Sequence, residues 1–128
     1  MNRIYNPDGI AAPAGAYSHG VEVPANARTL YISGQIGVNP DGSISDSAED
    51  QADRAWRNIV AILADADMGV EDLVRMTTYI TRAEDALAIR AVRTKYLGDY
   101  RPASTLLVVA ALAQPEYVFE LEAVAAKA

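Results

Sequence analysis

Residues Tyr117 to Ala125 alternate in a way that only a β-strand uses, and they constrain the fold more than any other stretch. With side chains on alternate faces, Tyr117, Phe119, Leu121 and Ala123 share one side, and Val118, Glu120, Glu122 and Val124 share the other. The first side needs an apolar cover. The second sets two carboxylates among valines, about 7 Å apart by strand rise. The segment Thr105 to Leu112 reads as a second, nearly continuous apolar strand adjoining this one. Its faces carry too little polarity for open water, which favours contact with another subunit over a solvated monomer.

The cover comes from two helical patterns. Ala52, Ala55, Trp56, Ile59, Ile62, Leu63 and Ala66 recur at helical spacing and predict a helix from Ser47 to about Met68. Ser47 suits the N-cap, and Gly69 suits a left-handed residue at the C-terminus. A second helix is expected to open at the capping-box pattern Thr81-Arg82-Ala83-Glu84 and run to about Leu97, ended by Gly98. Leu87, Ala91 and Tyr96 are expected in its buried stripe. Strands are expected at His19 to Val23, Arg28 to Ser33 and Leu73 to Thr81, with turns at Pro24-Ala25-Asn26-Ala27 and Asn39-Pro40-Asp41-Gly42. The order strand, strand, strand, helix, strand, helix, strand, strand describes one α+β domain over residues 1–128, with a mixed sheet and both helices on one face.

Composition removes several function classes. The net charge is −6, and the eleven Lys and Arg residues are scattered, which argues against a nucleic-acid partner. No apolar run reaches the roughly eighteen residues of a membrane span, and Met1 to Pro7 lacks a signal-peptide core, so a cytoplasmic protein with no membrane partner is expected. Cysteine is absent, which excludes thiolate metal sites and a cysteine nucleophile. His19 is the only histidine, so a hydrogen-bonded structural role is expected rather than a metal site. No nucleotide-binding glycine fingerprint is present, and no cofactor is expected.

Four stretches together resemble the RidA/YjgF family of small trimeric proteins: Gly15-Ala16-Tyr17-Ser18-His19-Gly20, Tyr31-Ile32-Ser33-Gly34-Gln35-Ile36, Arg101-Pro102-Ala103-Ser104-Thr105 and Phe119-Glu120-Leu121-Glu122-Ala123-Val124-Ala125. The resemblance spans almost the whole chain. It implies the chorismate-mutase-like Rid fold, a homotrimer, and clefts at the subunit interfaces that hold a small molecule. It also implies hydrolysis of an imine or enamine, that is, a deaminase. By the same resemblance, Glu120 matches the catalytic glutamate that handles water. Tyr17, Ser33 and Gly34 match residues that shape the substrate pocket, and Arg90 falls where an asparagine is common in the second helix. Ser104 falls where the family's deaminases carry the arginine that clamps a substrate carboxylate.

Each of these residues has a plainer alternative. Glu120 and Glu122 can be interface strand residues, Tyr17 can close the N-terminal loop, and Ser33-Gly34 can mark a bulge. Arg90 and Arg101 are candidates to replace the missing cation, or are solvated surface arginines. A serine hydroxyl cannot reproduce the two parallel charge-assisted bonds of a guanidinium, so a substrate other than the simple 2-imino acids is expected. The alternative is a non-catalytic trimer that binds a small ligand or regulates through the same cleft.

Overall fold

The stripe read from Ala52 to Leu63 becomes helix α1, Ala48–Asp65, in a computed structural model that describes residues 1–128. Ser47 is its N-cap, with the hydroxyl accepting from the Asp50 backbone N–H at 3.3 Å. Ala52, Ala55, Trp56, Ile59 and Leu63 are buried, and Gln51 joins them. The helix stops three residues before the expected end. Asp67, not Gly69, takes the left-handed conformation, with φ 57°, and Gly69 is extended. Aspartate enters that region more readily than most residues because its short polar side chain can hydrogen-bond locally.

Before α1 come three strands: β1 at Arg3–Tyr5, β2 at Gly20–Glu22 and β3 at Arg28–Ile36. β2 pairs with β1, which the sequence reading did not identify, in a small antiparallel ribbon. The main sheet is formed by β3 with β4 at Leu73–Ile80, β5 at Ala103–Val108 and β6 at Phe119–Lys127, in the order β3-β6-β4-β5. β4 and β5 are parallel, joined over one face by helix α2 at Ala86–Leu97, and the other pairings are antiparallel. The expected strand 105–112 thus starts earlier and ends at Val108. It does not adjoin the last strand, because β4 lies between them. The last strand opens at Phe119, since Tyr117 belongs to a turn closed by its N–H on the Gln114 carbonyl.

Both helices cover one face, as the pattern requires. Phe119, Leu121 and Ala123 are buried beneath them together with Trp56, Ile59, Met76 and Ile80. The Trp56 ring stacks on Tyr96 with centroids 5.7 Å apart. Burying each large side chain here stabilises the fold by about 1.5–3 kcal/mol. The second helix corrects the expected stripe. Thr81 to Glu84 does not cap it; a short 3-10 turn at Ala83–Asp85 intervenes, and the α-helix proper starts at Ala86. Leu87 is 78% exposed and Ala91 is exposed, whereas Ile89, Val92, Arg93 and Leu97 face inward. Gly98 ends the helix with φ 59°, as expected. No helix is long and apolar enough to cross a membrane.

Candidate functional site

The open face of the sheet carries the acidic residues. Register places Glu120, Glu122 and Val124 of β6 on it, beside Tyr79, Thr77 and Arg75 of β4 and Tyr31 of β3. The Tyr79 hydroxyl donates to Glu122 Oε1 at 2.6 Å. That bond, then burial and the charges of Glu122 and Glu120, raise the Tyr79 pKa, because each favours the neutral phenol. Tyr31 is 79% exposed, an unusual fraction for a tyrosine in the middle of a strand. A cavity of about 340 Å³ opens on this face, lined by Tyr31, Ser33, Arg75, Thr77, Glu122 and Val124 among others.

Ser33 and Gly34 occupy a β-bulge. Ile32 pairs with Ala123 and Gln35 with Leu121, so β3 inserts one extra residue opposite Glu122. The bulge brings Gly34 against Glu120. A Cβ built at position 34 would lie 2.8 Å from the Glu120 carboxyl carbon and nearer still to Oε2. The plainer alternative for this Ser-Gly pair therefore holds: it is a bulge, and the bulge makes a close approach to Glu120 that needs glycine.

Tyr17 and Ser104 form a separate group. The Tyr17 hydroxyl accepts from the Ala14 N–H at 3.2 Å, and its ring meets His19 edge-on at 5.8 Å. The His19 Nε2 lies 2.8 Å from the Ala11 carbonyl oxygen. The buried Ser18 donates its N–H to the Pro102 carbonyl at 3.1 Å and bridges to Ala103, strapping this loop to the start of β5. Ser104 pairs with the buried Met76, and so points toward the helices rather than the open face. Leu106, two residues on, packs on the core from the same side.

One chain thus divides the expected site. Glu120 pairs with Tyr79, which pairs with Leu107, while Ser104 pairs with Met76, which pairs with Ala123. Ser104 is three residues along and two strands across from Glu120, about 10 Å in each direction, and on the opposite face. The expectation that position 104 sits beside Glu120 on an adjoining strand is corrected by β4. Arg90 is exposed on α2, in the helix layer. Arg101 caps the end of α2, its Nη1 donating to the carbonyls of Gly98 at 2.7 Å and Tyr100 at 3.1 Å.

The sequence reading missed Arg75 and Tyr79, which were hidden until the register placed them beside β6. A larger depression of about 550 Å³ lies between α1 and α2, but its central charges already pair: Asp53 holds Arg57 at 3.0 Å and Lys95 at 2.9 Å. No cluster of His, Asp or Glu has the arrangement of a metal site.

Comparison with known proteins places these features in a family. The family model described as "Endoribonuclease L-PSP" matches residues 9–127. A RutC family protein of Aquifex aeolicus is 35% identical, with 99% of this chain and 100% of that protein covered. The Rid-family protein YyfB of Yersinia pestis, whose function is described as unknown, superposes with a TM-score of 0.86 at 31% identity over 97% of each chain. TdcF of Escherichia coli, provisionally named a reactive intermediate deaminase, is 29% identical over 99% of this chain and 98% of its own length. Its crystal structure with bound serine superposes with a TM-score of 0.75. With the family model spanning nearly the whole chain and the bulge, strap and acidic strand all present, this protein belongs to the RidA/YjgF family.

Proposed function

We propose that this chain assembles as a homotrimer whose clefts, one at each subunit interface, hydrolyse a small imine or enamine metabolite. The observation that carries the reading is the division of the site. The Glu120, Ser33 and Gly34 group lies on an open sheet face, and the Tyr17 and Ser104 group lies at the β5 edge, too far away to act on one small molecule. A head-to-tail contact that sets the open face of one copy against the β5 edge of the next would complete the site. The exposed Tyr31, Leu107 and Val108 supply the apolar surface for such a contact.

In that cleft Glu120 takes a proton from water as the water attacks the C=N carbon and passes it to the nitrogen; it then takes the carbinolamine hydroxyl proton and delivers it to the nitrogen as the C–N bond breaks, leaving a carbonyl and the free amine or ammonia. Gly34 keeps the carboxylate in place by offering no side chain against it. Tyr17 forms part of the wall. Ser104 presents no fork for a carboxylate, so the substrate in this reading is an imine or enamine other than the simple 2-imino acids. The net charge of −6 speaks against a role on RNA.

The test is a panel of unstable imines and enamines, with and without a carboxylate, with hydrolysis followed by loss of the imine signal. Wild type should accelerate at least one of them, and Glu120→Gln should reduce that rate by about 10²–10⁴. Equal rates for Glu120→Gln and wild type on every active substrate would refute the role given to Glu120. No acceleration on any imine would favour a binding or regulatory trimer, a reading for which the absent fork at Ser104 is the motivating feature.

A further inference from the structure

The tetrapeptide Asn-Pro-Asp-Gly occurs twice in this chain, at residues 6–9 and again at 39–42. In both copies the aspartate and glycine are exposed, and a Cβ added at either glycine would meet nothing within 4 Å. Sequence and solvent access are therefore matched, and the bonding differs.

The second copy is tied down. The Gly42 N–H donates to the Asn39 carbonyl at 2.8 Å. Asp41 Oδ1 accepts from the Ser43 N–H at 2.9 Å and from the Ser43 hydroxyl at 2.6 Å. The Asn39 N–H bonds the Ser43 carbonyl at 2.8 Å, and the Asn39 side-chain amide donates to the Ser43 hydroxyl at 3.1 Å. The Ser43 bonds also lower the Asp41 pKa, because they favour the carboxylate.

The first copy has none of these ties. The Asp8 carboxylate enters no hydrogen bond or ion pair, and the Gly9 N–H meets no acceptor. Asp8 lies instead in a loop whose two ends are pinned. Asn6 Oδ1 accepts from the His19 N–H at 2.8 Å, and the Ser18 N–H reaches the Pro102 carbonyl at 3.1 Å. Between the pins, His19 Nε2 lies 2.8 Å from the Ala11 carbonyl oxygen, and the Tyr17 ring meets His19 edge-on.

An aspartate followed by glycine carries an internal nucleophile, the glycine amide nitrogen, with no side chain to shield it. Attack of that nitrogen on Cγ forms a C–N bond and closes a succinimide ring. One water leaves, made from a carboxyl oxygen, the amide proton and a proton from solvent. Water then adds at the aspartate main-chain carbonyl and breaks its bond to nitrogen, so the chain continues through Cβ and Cγ as isoaspartate. One water leaves and one enters, and nothing is oxidised or reduced. The attack needs the carboxyl group to swing over the following nitrogen, with that nitrogen released from any acceptor. Asp41 must first give up its Ser43 bonds and the Gly42–Asn39 bond; Asp8 gives up nothing.

We propose that Asp8–Gly9 is a site of spontaneous isoaspartate formation, from which Asp41–Gly42 is spared by its hydrogen bonds, and that the product loosens the loop presenting Tyr17. The isomer adds one carbon to the main chain between Asn6 and Ala11, the two residues that bond His19. It also moves the free carboxylate onto the α-carbon. The modification is independent of the cleft and of any hydrolytic activity.

The full chain, folded at neutral pH, would be stored warm in heavy-oxygen water and digested, with each aspartate peptide read by mass spectrometry. An isoaspartate-specific carboxyl methyltransferase with S-adenosylmethionine gives a second count. Asp8 should gain label and methyl groups at least about tenfold faster than Asp41, whose reaction must wait for local opening. In urea the two rates should converge, since the tetrapeptides are identical. Asp8→Glu, whose longer side chain closes a larger ring more slowly, should lose the signal at position 8. Hydrogen exchange over residues 11–17 should reveal a second, faster population that grows with the isoaspartate count and is absent from stored Asp8→Glu. Equal rates at Asp8 and Asp41 in the folded chain would overturn the proposal. So would an Asp41 rate that stays slow in urea, because sequence and not folding would then set the difference. Isoaspartate at Asp8 with unchanged exchange over residues 11–17 would refute the effect on the Tyr17 loop.

Discussion

The carboxylate of Glu120 lies directly against the α-carbon of Gly34, where a β-bulge in β3 folds the backbone toward β6. Any side chain at position 34 would claim the space that the carboxylate occupies. The atoms in the way are the far end of a flexible side chain, so the fold can adjust while the site cannot. Gly34→Ala should therefore lower stability by less than about 1.5 kcal/mol and reduce imine hydrolysis at least tenfold. Chemical denaturation beside initial rates checks this. Equal losses in Gly34→Ala and in a surface control would show that Glu120 is not held by this contact.

Gln51 is a buried amide that ties three segments together. Its Nε2 donates to the carbonyls of Ser45 at 2.8 Å and Glu116 at 2.9 Å, and its Oε1 accepts from the Val118 N–H at 3.0 Å. Gln51→Leu keeps most of the volume and leaves these groups unpaired. Each buried group left so costs about 1–3 kcal/mol, and urea unfolding should register at least that much. A loss below 0.5 kcal/mol, taken as roughly the effect of an ordinary surface substitution, would show that water replaces the amide.

Asp53 sets part of the acid limit of stability. Hydrogen bonds from Tyr96 and then Lys95, with the charges of Lys95 and Arg57, hold its carboxyl below the usual aspartate range. A depressed folded-state pKa contributes stability that is present above the unfolded pKa of about 3.9 and is lost as pH falls through the folded value. Asp53→Asn should thus unfold more easily than wild type at pH 7, with the gap closing below about pH 4. A gap that stays constant from pH 7 to pH 2.5 in denaturant titrations would remove Asp53 from this account.

Ser104→Arg would add a fourth cation to the region of Arg90, Arg93 and Arg101. In the wild-type background it should destabilise the fold by about 1–3 kcal/mol, and in an Arg93→Met background by clearly less, a coupling that a double-mutant cycle measures. Additive effects within about 0.5 kcal/mol would place positions 93 and 104 out of each other's reach.

Sedimentation equilibrium at micromolar concentration should return three times the 13.7 kDa chain mass. A stable monomer would leave the Glu120 and Tyr17 groups permanently separate, and the cleft would not exist.

The sequence by itself determined the layers of this protein. Alternation in Phe119 to Ala123 and the helical stripe from Ala52 to Leu63 are local periodicities, and local periodicity decides which face an element buries. Ser47 and Gly98 marked element ends because capping chemistry is also local. The weaker pattern of α2 misled: Leu87 and Ala91 read as buried, but the helix starts at Ala86, after a 3-10 turn at Ala83–Asp85, and buries Ile89, Val92, Arg93 and Leu97 instead. Only the tertiary structure decided which strands are neighbours. Insertion of β4 between β5 and β6 separates Ser104 from Glu120, and the bulge at Ser33-Gly34 brings Gly34 onto that glutamate. Strand order and register depend on contacts between residues far apart in the chain, which no short window of sequence contains.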